Sequence, residues 1–240
     1  MSAEKKIKIR IIIPVNTSAY NETVMETVQT IIPPDVYFDV RHITKGKTHI
    51  QNRTDFTINS PHVIELAIET ENEGFDGIFV TDFDFCGVEA TRENVNIPVI
   101  GGFRPQAMTA ISLSEKVGLI TIVDSIVAMQ EEHFRNFGIL DNLACILPIG
   151  LPVADLPNKE VVIPKAFEKA LEAIELGAES IIFGCTGFIG IAEPVSKMLK
   201  DLGHNIPVLD PNHISVTFLI MLIRNNLTQS RLTYYHTGQS

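Results

Sequence analysis

"GAESIIFGCT" at Gly177–Thr186 restates "GFDGIFVTDF" at Gly74–Phe83, 103 residues earlier. Each copy has a glycine that closes a helix, an acidic residue, a short apolar strand and a turn. In both, a Gly-containing turn and a helical stretch follow, then an Ile-Pro-Val segment at Ile97-Pro98-Val99 and at Ile206-Pro207-Val208. A second pair keeps the same order. Ile13-Pro14-Val15-Asn16-Thr17-Ser18 and Thr121-Ile122-Val123-Asp124-Ser125 both end a strand with an Asx residue and then a hydroxyl. Two matches in one order describe a duplicated chain.

Around these anchors, apolar β-branched runs alternate with helical patterns. Strands are expected at Ile7–Ile13, Gly77–Thr81, Ile97–Ile100, Val117–Val123, Ala144–Ile149, Ser180–Gly184 and Ile206–Leu209. Their near-continuous hydrophobicity predicts parallel sheets covered on both faces. Ser60-Pro61 signals a helix that stops at Gly74; Pro105 and Pro164 signal two more, the last with Phe167, Leu171 and Ile174 on one face and Gly177 as its stop. The fold class is therefore α/β, with two pseudosymmetric domains, each a parallel sheet flanked by helices. The expected division is 1–101 plus 208–240 against 102–207. Ligands of open α/β sheets gather at the C-terminal ends of strands, so the active site is expected in a cleft where the two sets of strand ends face each other.

Composition limits the function. The 240 residues carry 29 acidic against 19 basic side chains, a net charge of −10, with no basic stripe, so neither nucleic acid nor an anionic membrane is an expected partner. No apolar run reaches the roughly 18 residues of a membrane span. The opening residues lack the apolar core of a signal peptide, and Cys86, Cys145 and Cys185 form no close-spaced pair, which predicts a reducing, cytoplasmic setting. The seven histidines show no ligand spacing, and no glycine-rich nucleotide motif is present, so no metal or other cofactor is expected.

The chemistry is expected at the strand-end turns. Cys185 precedes Thr186-Gly187 at a strand-to-helix turn, where N–H groups and the helix dipole favour a thiolate. Asp82 holds the matching place in the first copy, where an apolar cleft would raise its pKa. A carboxylate and a thiol on either side of a small substrate suit proton transfer at a carbon acid. The N–H groups of Phe83, Asp84, Thr186 and Gly187 are candidates to receive the charge that develops on a carbonyl or carboxylate. Asn16, Thr17, Ser18 and Thr121, at strand ends, are candidate substrate contacts, and Arg104 a candidate for a substrate carboxylate. The bland readings are an N-cap for Asp82, a core thiol for Cys185 and a surface position for Arg104. Cys86 would replace Asp82 as the working group if the turn bulged, and Cys145 reads as core.

These segments, "PVNTS" (14–18), "DGIFVTDFD" (76–84), "IPVIGG" (97–102), "GLITIVDS" (118–125), "GAESIIFGCTGF" (177–188), "IPVLDP" (206–211) and "LTQSRLTYY" (227–235), resemble the aspartate/glutamate/hydantoin racemase superfamily. The likeness is strongest to its hydantoin and allantoin racemase branch and extends from about Lys8 to Tyr235. The resemblance implies a cofactor-independent enzyme with one cysteine from each half acting on opposite faces of a stereocentre, and a homo-oligomer. Cys185 matches the second family cysteine and Asn16 the substrate-holding asparagine; Asp82 stands where the first thiol belongs. The segment 101–108 looks one residue longer than the family's and brings in Arg104 where an acidic residue is usual. Three functions follow: a racemase or epimerase with Asp82 as the second base; a one-cysteine decarboxylase of the arylmalonate type acting on a small dicarboxylic acid; or a non-catalytic protein that binds a small molecule.

Overall fold

The computed structural model describes residues 6–236. The chain forms two compact units, one comprising the described residues up to Gly102 and again from Ser215, the other Phe103–Ile214. Residues 208–214 thus group with the second unit, and the division falls inside a helix.

In the first unit the order is β1 (Ile7–Ile13), α1 (Asn21–Gln29), β2 (Val36–His42), α2 (Arg53–Asn72), β3 (Gly77–Val80), α3 (Val88–Asn94) and β4 (Val99–Ile100). They make a four-stranded sheet in the order β2-β1-β3-β4, every pairing parallel. Ile9, Ile11 and Ile12 of β1 and Ile78, Phe79 and Val80 of β3 are wholly buried, as expected of strands covered on both faces.

The second unit holds α4 (Phe103–Leu113), β5 (Val117–Thr121), α5 (Val127–Asn136), β6 (Leu143–Pro148), α6 (Lys159–Glu175), β7 (Ser180–Phe183) and α7 (Ala192–Asp201); α8 (Pro211–Arg224) begins in it. Its sheet is β6-β5-β7, also parallel, and Val208 adds a bridge to Ile181 on the outer side of β7. The duplication read from the sequence is therefore a duplication of topology. In each unit the first strand is central, the second pairs on one side and the third on the other, and the Ile-Pro-Val segment pairs outside the third.

Several expected boundaries move for identifiable reasons. The Ile-Pro-Val strands shrink to Val99–Ile100 and to a single bridge at Val208. Pro98 and Pro207 have no N–H to offer a ladder and contribute only their carbonyls, to Ile78 N and Ile181 N at 2.9 and 2.8 Å. β2 was not expected: it is an edge strand that alternates apolar Val36, Phe38 and Val40 with Tyr37, Asp39 and Arg41, so it lacks a continuous apolar run.

Two prolines lie inside helices rather than starting them. α2 begins at Arg53, where Asn52 Oδ1 accepts from the N–H groups of Thr54 and Asp55, both at 2.9 Å, and Pro61 sits within it. α6 begins at Lys159 and contains Pro164. An interior proline removes a helical hydrogen bond; burial of Asn59, Val63, Ala67 and Thr70 along α2 holds that helix together regardless. The most buried face of α6 is Val162, Ala166, Ala170 and Ala173, with Phe167, Leu171 and Ile174 only partly covered. Small residues are needed there. A Cβ placed on Gly118 of β5 would meet Ala178 Cβ at 2.9 Å and Ala173 Cβ at 3.0 Å, so helix and strand approach too closely for larger side chains.

One polar group is built into the first core. Arg10 on β1 is 1% exposed; its Nε and Nη2 donate to Asp39, Nη2 to Glu73 and Nη1 to Thr70, and its guanidinium lies 4.0 Å over the Phe75 ring. Every charge-bearing edge is thus matched. The Arg10 hydrogen bond holds the Glu73 carboxyl down to about 2.

Candidate active site

In the first unit, parallel pairing of β1 and β3, with Ile12 opposite Val80, brings their C-terminal ends to one edge. The loop after β1 carries Asn16, Thr17 and Ser18, the first two half-buried and Ser18 exposed. It is fixed by Asn59 of α2, a wholly buried side chain whose Nδ2 donates to Pro14 O at 2.7 Å and Lys47 O at 3.2 Å and whose Oδ1 accepts from Lys47 N at 2.7 Å. Lys47 O in turn accepts from Asn16 N at 2.8 Å.

The turn after β3 is as tightly held. Thr81 N donates to Ile12 O, and Gly102 N donates to Asp82 O at 2.8 Å. The Asp82 carboxylate accepts from Cys86 N at 2.8 Å and from the Asp84 backbone. Phe85 takes φ 67° and Gly87 φ 72°, so two left-handed residues bend the chain back to start α3. Asp82 therefore closes its own turn and is not the N-cap of α3, a place taken by Gly87 with no side-chain cap. Burial, joined by the Asp84 carboxylate and opposed by the two N–H groups, pushes its pKa up to about 7.

Phe83 is 1% exposed and belongs to the core, and Asp84 is buried. Cys86 is also fully buried, facing α2: its Sγ lies 3.6 Å from both Ser60 Oγ and Phe56 O, and burial pushes the thiol far up. The turn does not bulge in a way that would bring Cys86 to the surface.

In the second unit, Gly184 N donates to Ile120 O, the counterpart of Thr81 N to Ile12 O. Cys185 follows, half-buried, and its Sγ accepts from Gly187 N at 3.3 Å. Thr186 is buried and its carbonyl accepts from Asn212 Nδ2 at 2.9 Å. Thr121 is wholly buried behind Gly184, with its Oγ1 2.7 Å from where a Gly184 Cβ would lie. Arg104, half-buried on α4, places its guanidinium 4.3 Å over the Phe137 ring. Cys145 of β6 packs against the core cluster; burial, with Glu172 nearby, pushes it up to about 11.

Two of the N–H groups expected to meet developing charge on a substrate are engaged inside the turns: Asp84 N–H on the Asp82 carboxylate and Gly187 N–H on the Cys185 sulphur. The residues that fix the turns, Asn59, Gln106, Gln130 and Asn212, were not singled out in the sequence. Only the improbability of an amide on an otherwise apolar helix face marked them.

"LTQSRLTYY" also has a place. Arg231 donates to the carbonyls of Arg92 and Val95, Gln229 to those of Val95 and Ile97, and Tyr234 joins Glu89 and Arg92. The segment ties down α3, the helix that leads away from the Asp82 turn.

The two strand-end turns thus hold corresponding places in two α/β units, one with a carboxylate of raised pKa and one with a thiol facing an N–H. A sequence model described as Asp/Glu/Hydantoin racemase matches residues 9–219, and the chain belongs to that family. A hydantoin racemase of Paenarthrobacter aurescens is 28% identical over 212 residues, covering 85% of this chain and 86% of its own. Among solved structures, allantoin racemase from Klebsiella pneumoniae has a TM-score of 0.90 at 21% identity, covering 98% and 95% of the two chains. A liganded double mutant of arylmalonate decarboxylase is more distant, with a TM-score of 0.72 at 12% identity over 91% and 93% of the chains. Among the described residues no His, Cys, Asp and Glu cluster fits a metal ion, and no helix is long and apolar enough to cross a membrane.

Proposed function

We propose that this protein is a cofactor-independent racemase or epimerase that moves the proton on the carbon α to a carbonyl of a small cyclic amide such as a 5-substituted hydantoin. Cys185 serves as one acid/base and Asp82 as the other. The observation that carries the reading is the shared position of the two groups in the repeated topology, one a thiol and the other a carboxylate raised to about 7.

The chemistry follows from the protonation states. With Asp82 ionised and Cys185 as thiol, the carboxylate removes the α-proton from one face and the thiol delivers a proton to the other. The opposite enantiomer starts from the thiolate and neutral Asp82. A carboxyl that titrates near neutrality is suited to both roles, since efficient proton transfer needs a pKa close to the working pH. The Gly187 N–H at Sγ supports the thiolate half-cycle. Asn16, Thr17 and Ser18, on the loop clamped by Asn59, would hold the substrate's carbonyl and N–H edge, and Arg104 an acidic substituent.

A carboxylate at Asp82, where the resemblance implies a thiol, supports a second reading, in which Cys185 alone protonates an enolate produced by loss of CO2. Proton NMR in D2O separates the two, using 5-substituted hydantoins, allantoin, amino acids and substituted malonates with wild type, Cys185→Ala and Asp82→Asn. Exchange of the α-proton with loss of optical rotation, abolished in both variants, is the expected result. CO2 release giving one deuterated enantiomer and dependent on Cys185 alone would move the protein to the decarboxylases. Full turnover by Cys185→Ala on any substrate found would sink both readings.

A further inference from the structure

The backbone leading to Cys185 is accounted for group by group. On its inner side β7 pairs with β5. On its outer side Ile181 N donates to Pro207 O and Leu209 N donates to Ile181 O, but the outer segment offers Phe183 nothing further. Phe183 is the last residue of β7, two before the thiol, and its edge-facing N–H and C=O would be a buried, unpaired peptide group.

Gln106 fills that place. It is 0% exposed on α4, its Oε1 accepts from Phe183 N and its Nε2 donates to Phe183 O, both at 3.2 Å. A carboxamide presents the same donor and acceptor as a peptide group, so one side chain stands in for the missing strand residue. Gln130 of α5, also wholly buried, continues the pattern by donating from Nε2 to Gly184 O at 2.6 Å. Beyond this point the held backbone runs straight into the Cys185 turn.

We infer that Gln106 is a positioning residue for Cys185: its reciprocal pair with Phe183 fixes the strand end from which the thiol is presented, and Gln130 secures the next peptide. The inference rests on the reading of Cys185 as the acid/base of the second unit. A buried glutamine on a helix could as well be core filling. The distinction is that a positioning role reaches the sulphur, whereas loss of packing alone lowers stability without changing how the thiol reacts.

The test uses the full chain with Gln106→Met, which keeps the length and loses both hydrogen bonds, and Gln106→Asn, which retracts the amide. Val117→Ala, at the opposite end of the sheet, serves as a control for stability loss. Two quantities are read: the alkylation rate of Cys185 by iodoacetamide from about pH 6 to 10, followed by peptide mass spectrometry, and amide exchange across residues 183–187. Gln106→Met should displace the pH profile of Cys185 and speed exchange at Phe183 by about tenfold or more. Gln106→Asn should show a smaller change of the same kind. Val117→Ala should leave both readouts at wild type at a similar loss of melting temperature.

Profiles in the Gln106 variants that overlay wild type, or an equal displacement in Val117→Ala, would overturn the inference. If Gln106→Met does not fold, Gln106→Asn decides. None of these readouts needs a substrate, so the loss of the catalytic reading through an active Cys185→Ala variant would be seen separately.

Discussion

Asp82 and Cys185 hold the same place in two different frames: each lies two residues beyond the last strand residue paired with a central strand, Val80 opposite Ile12 and Phe183 opposite Ile120. The turns around them differ. Asp82 accepts from N–H groups of its own turn, those of Cys86 and Asp84, and the Cys185 sulphur accepts from the N–H of Gly187. One duplicated scaffold thus presents two acids of different chemistry.

The raised pKa of Asp82 has a stability consequence with a definite sign. Folding lifts it from 3.8 to about 7, so between these values the native state binds more protons than the unfolded chain. Asp82 then detracts from stability as the pH rises through that window, by on the order of 2–4 kcal/mol once above it. Asp82→Asn keeps an acceptor for the Cys86 N–H and removes the titration. Urea denaturation should therefore show the variant gaining on wild type by about 2 kcal/mol more at pH 8 than at pH 5. A gain that does not depend on pH would mean that Asp82 ionises in the folded protein as it does in the unfolded chain.

The three thiols should separate by reactivity. Cys86 is buried and held protonated and Cys145 is pushed up to about 11, whereas Cys185 is half-buried beside an N–H. Under native conditions near pH 8, iodoacetamide should modify Cys185 first, Cys145 more slowly, and Cys86 only on unfolding. Peptide mapping over time checks this order, and early labelling of Cys86 would contradict it.

Gly184→Ala should be poorly tolerated. The new Cβ would lie 2.6 Å from Gln130 Oε1, 2.7 Å from Thr121 Oγ1 and 2.9 Å from Thr121 Cβ. Overpacking of this kind costs about 1–3 kcal/mol, and relief requires movement of the strand end next to Cys185. Thermal denaturation should report a clear fall in Tm, together with a changed alkylation rate at Cys185. Wild-type values in both would show that the neighbours yield freely.

Asn59→Ala removes three hydrogen bonds from a fully buried side chain and leaves Pro14 O and the Lys47 backbone without these partners. A loss of about 2–4 kcal/mol is expected from unsatisfied buried groups. The loop of Asn16–Ser18 should loosen, read as faster amide exchange around residues 14–18; unchanged exchange there would show that the loop is fixed by other contacts.

Much of this was legible in the sequence. The repeat at an offset of 103 residues placed β3 against β7 and so matched Asp82 to Cys185, because a strand covered on both faces must be apolar throughout and its end is marked by the first polar or glycine residue. The family segments were legible for the same reason: tight turns allow few residues. Elements whose sequence serves two purposes were not. β2 has charged residues on one face because Asp39 and Arg41 answer to Arg10 and Glu73, partners 29 to 32 residues away in the chain. Pro61 and Pro164 lie inside helices because burial outweighs the missing hydrogen bond.

The sequence by itself determined the α/β class, the duplication and the two candidate acids, since these depend on periodicity and local turn chemistry. Tertiary structure alone decided which groups are held and in what state. Cys86 and Asp82 are four residues apart, yet one is a core thiol against α2 and the other a strand-end carboxylate of raised pKa. Gln106 reads as an ordinary helical residue until α4 packs on β7 and its amide meets Phe183. Burial and hydrogen-bond partnership are properties of residues distant in sequence, so no local pattern can carry them.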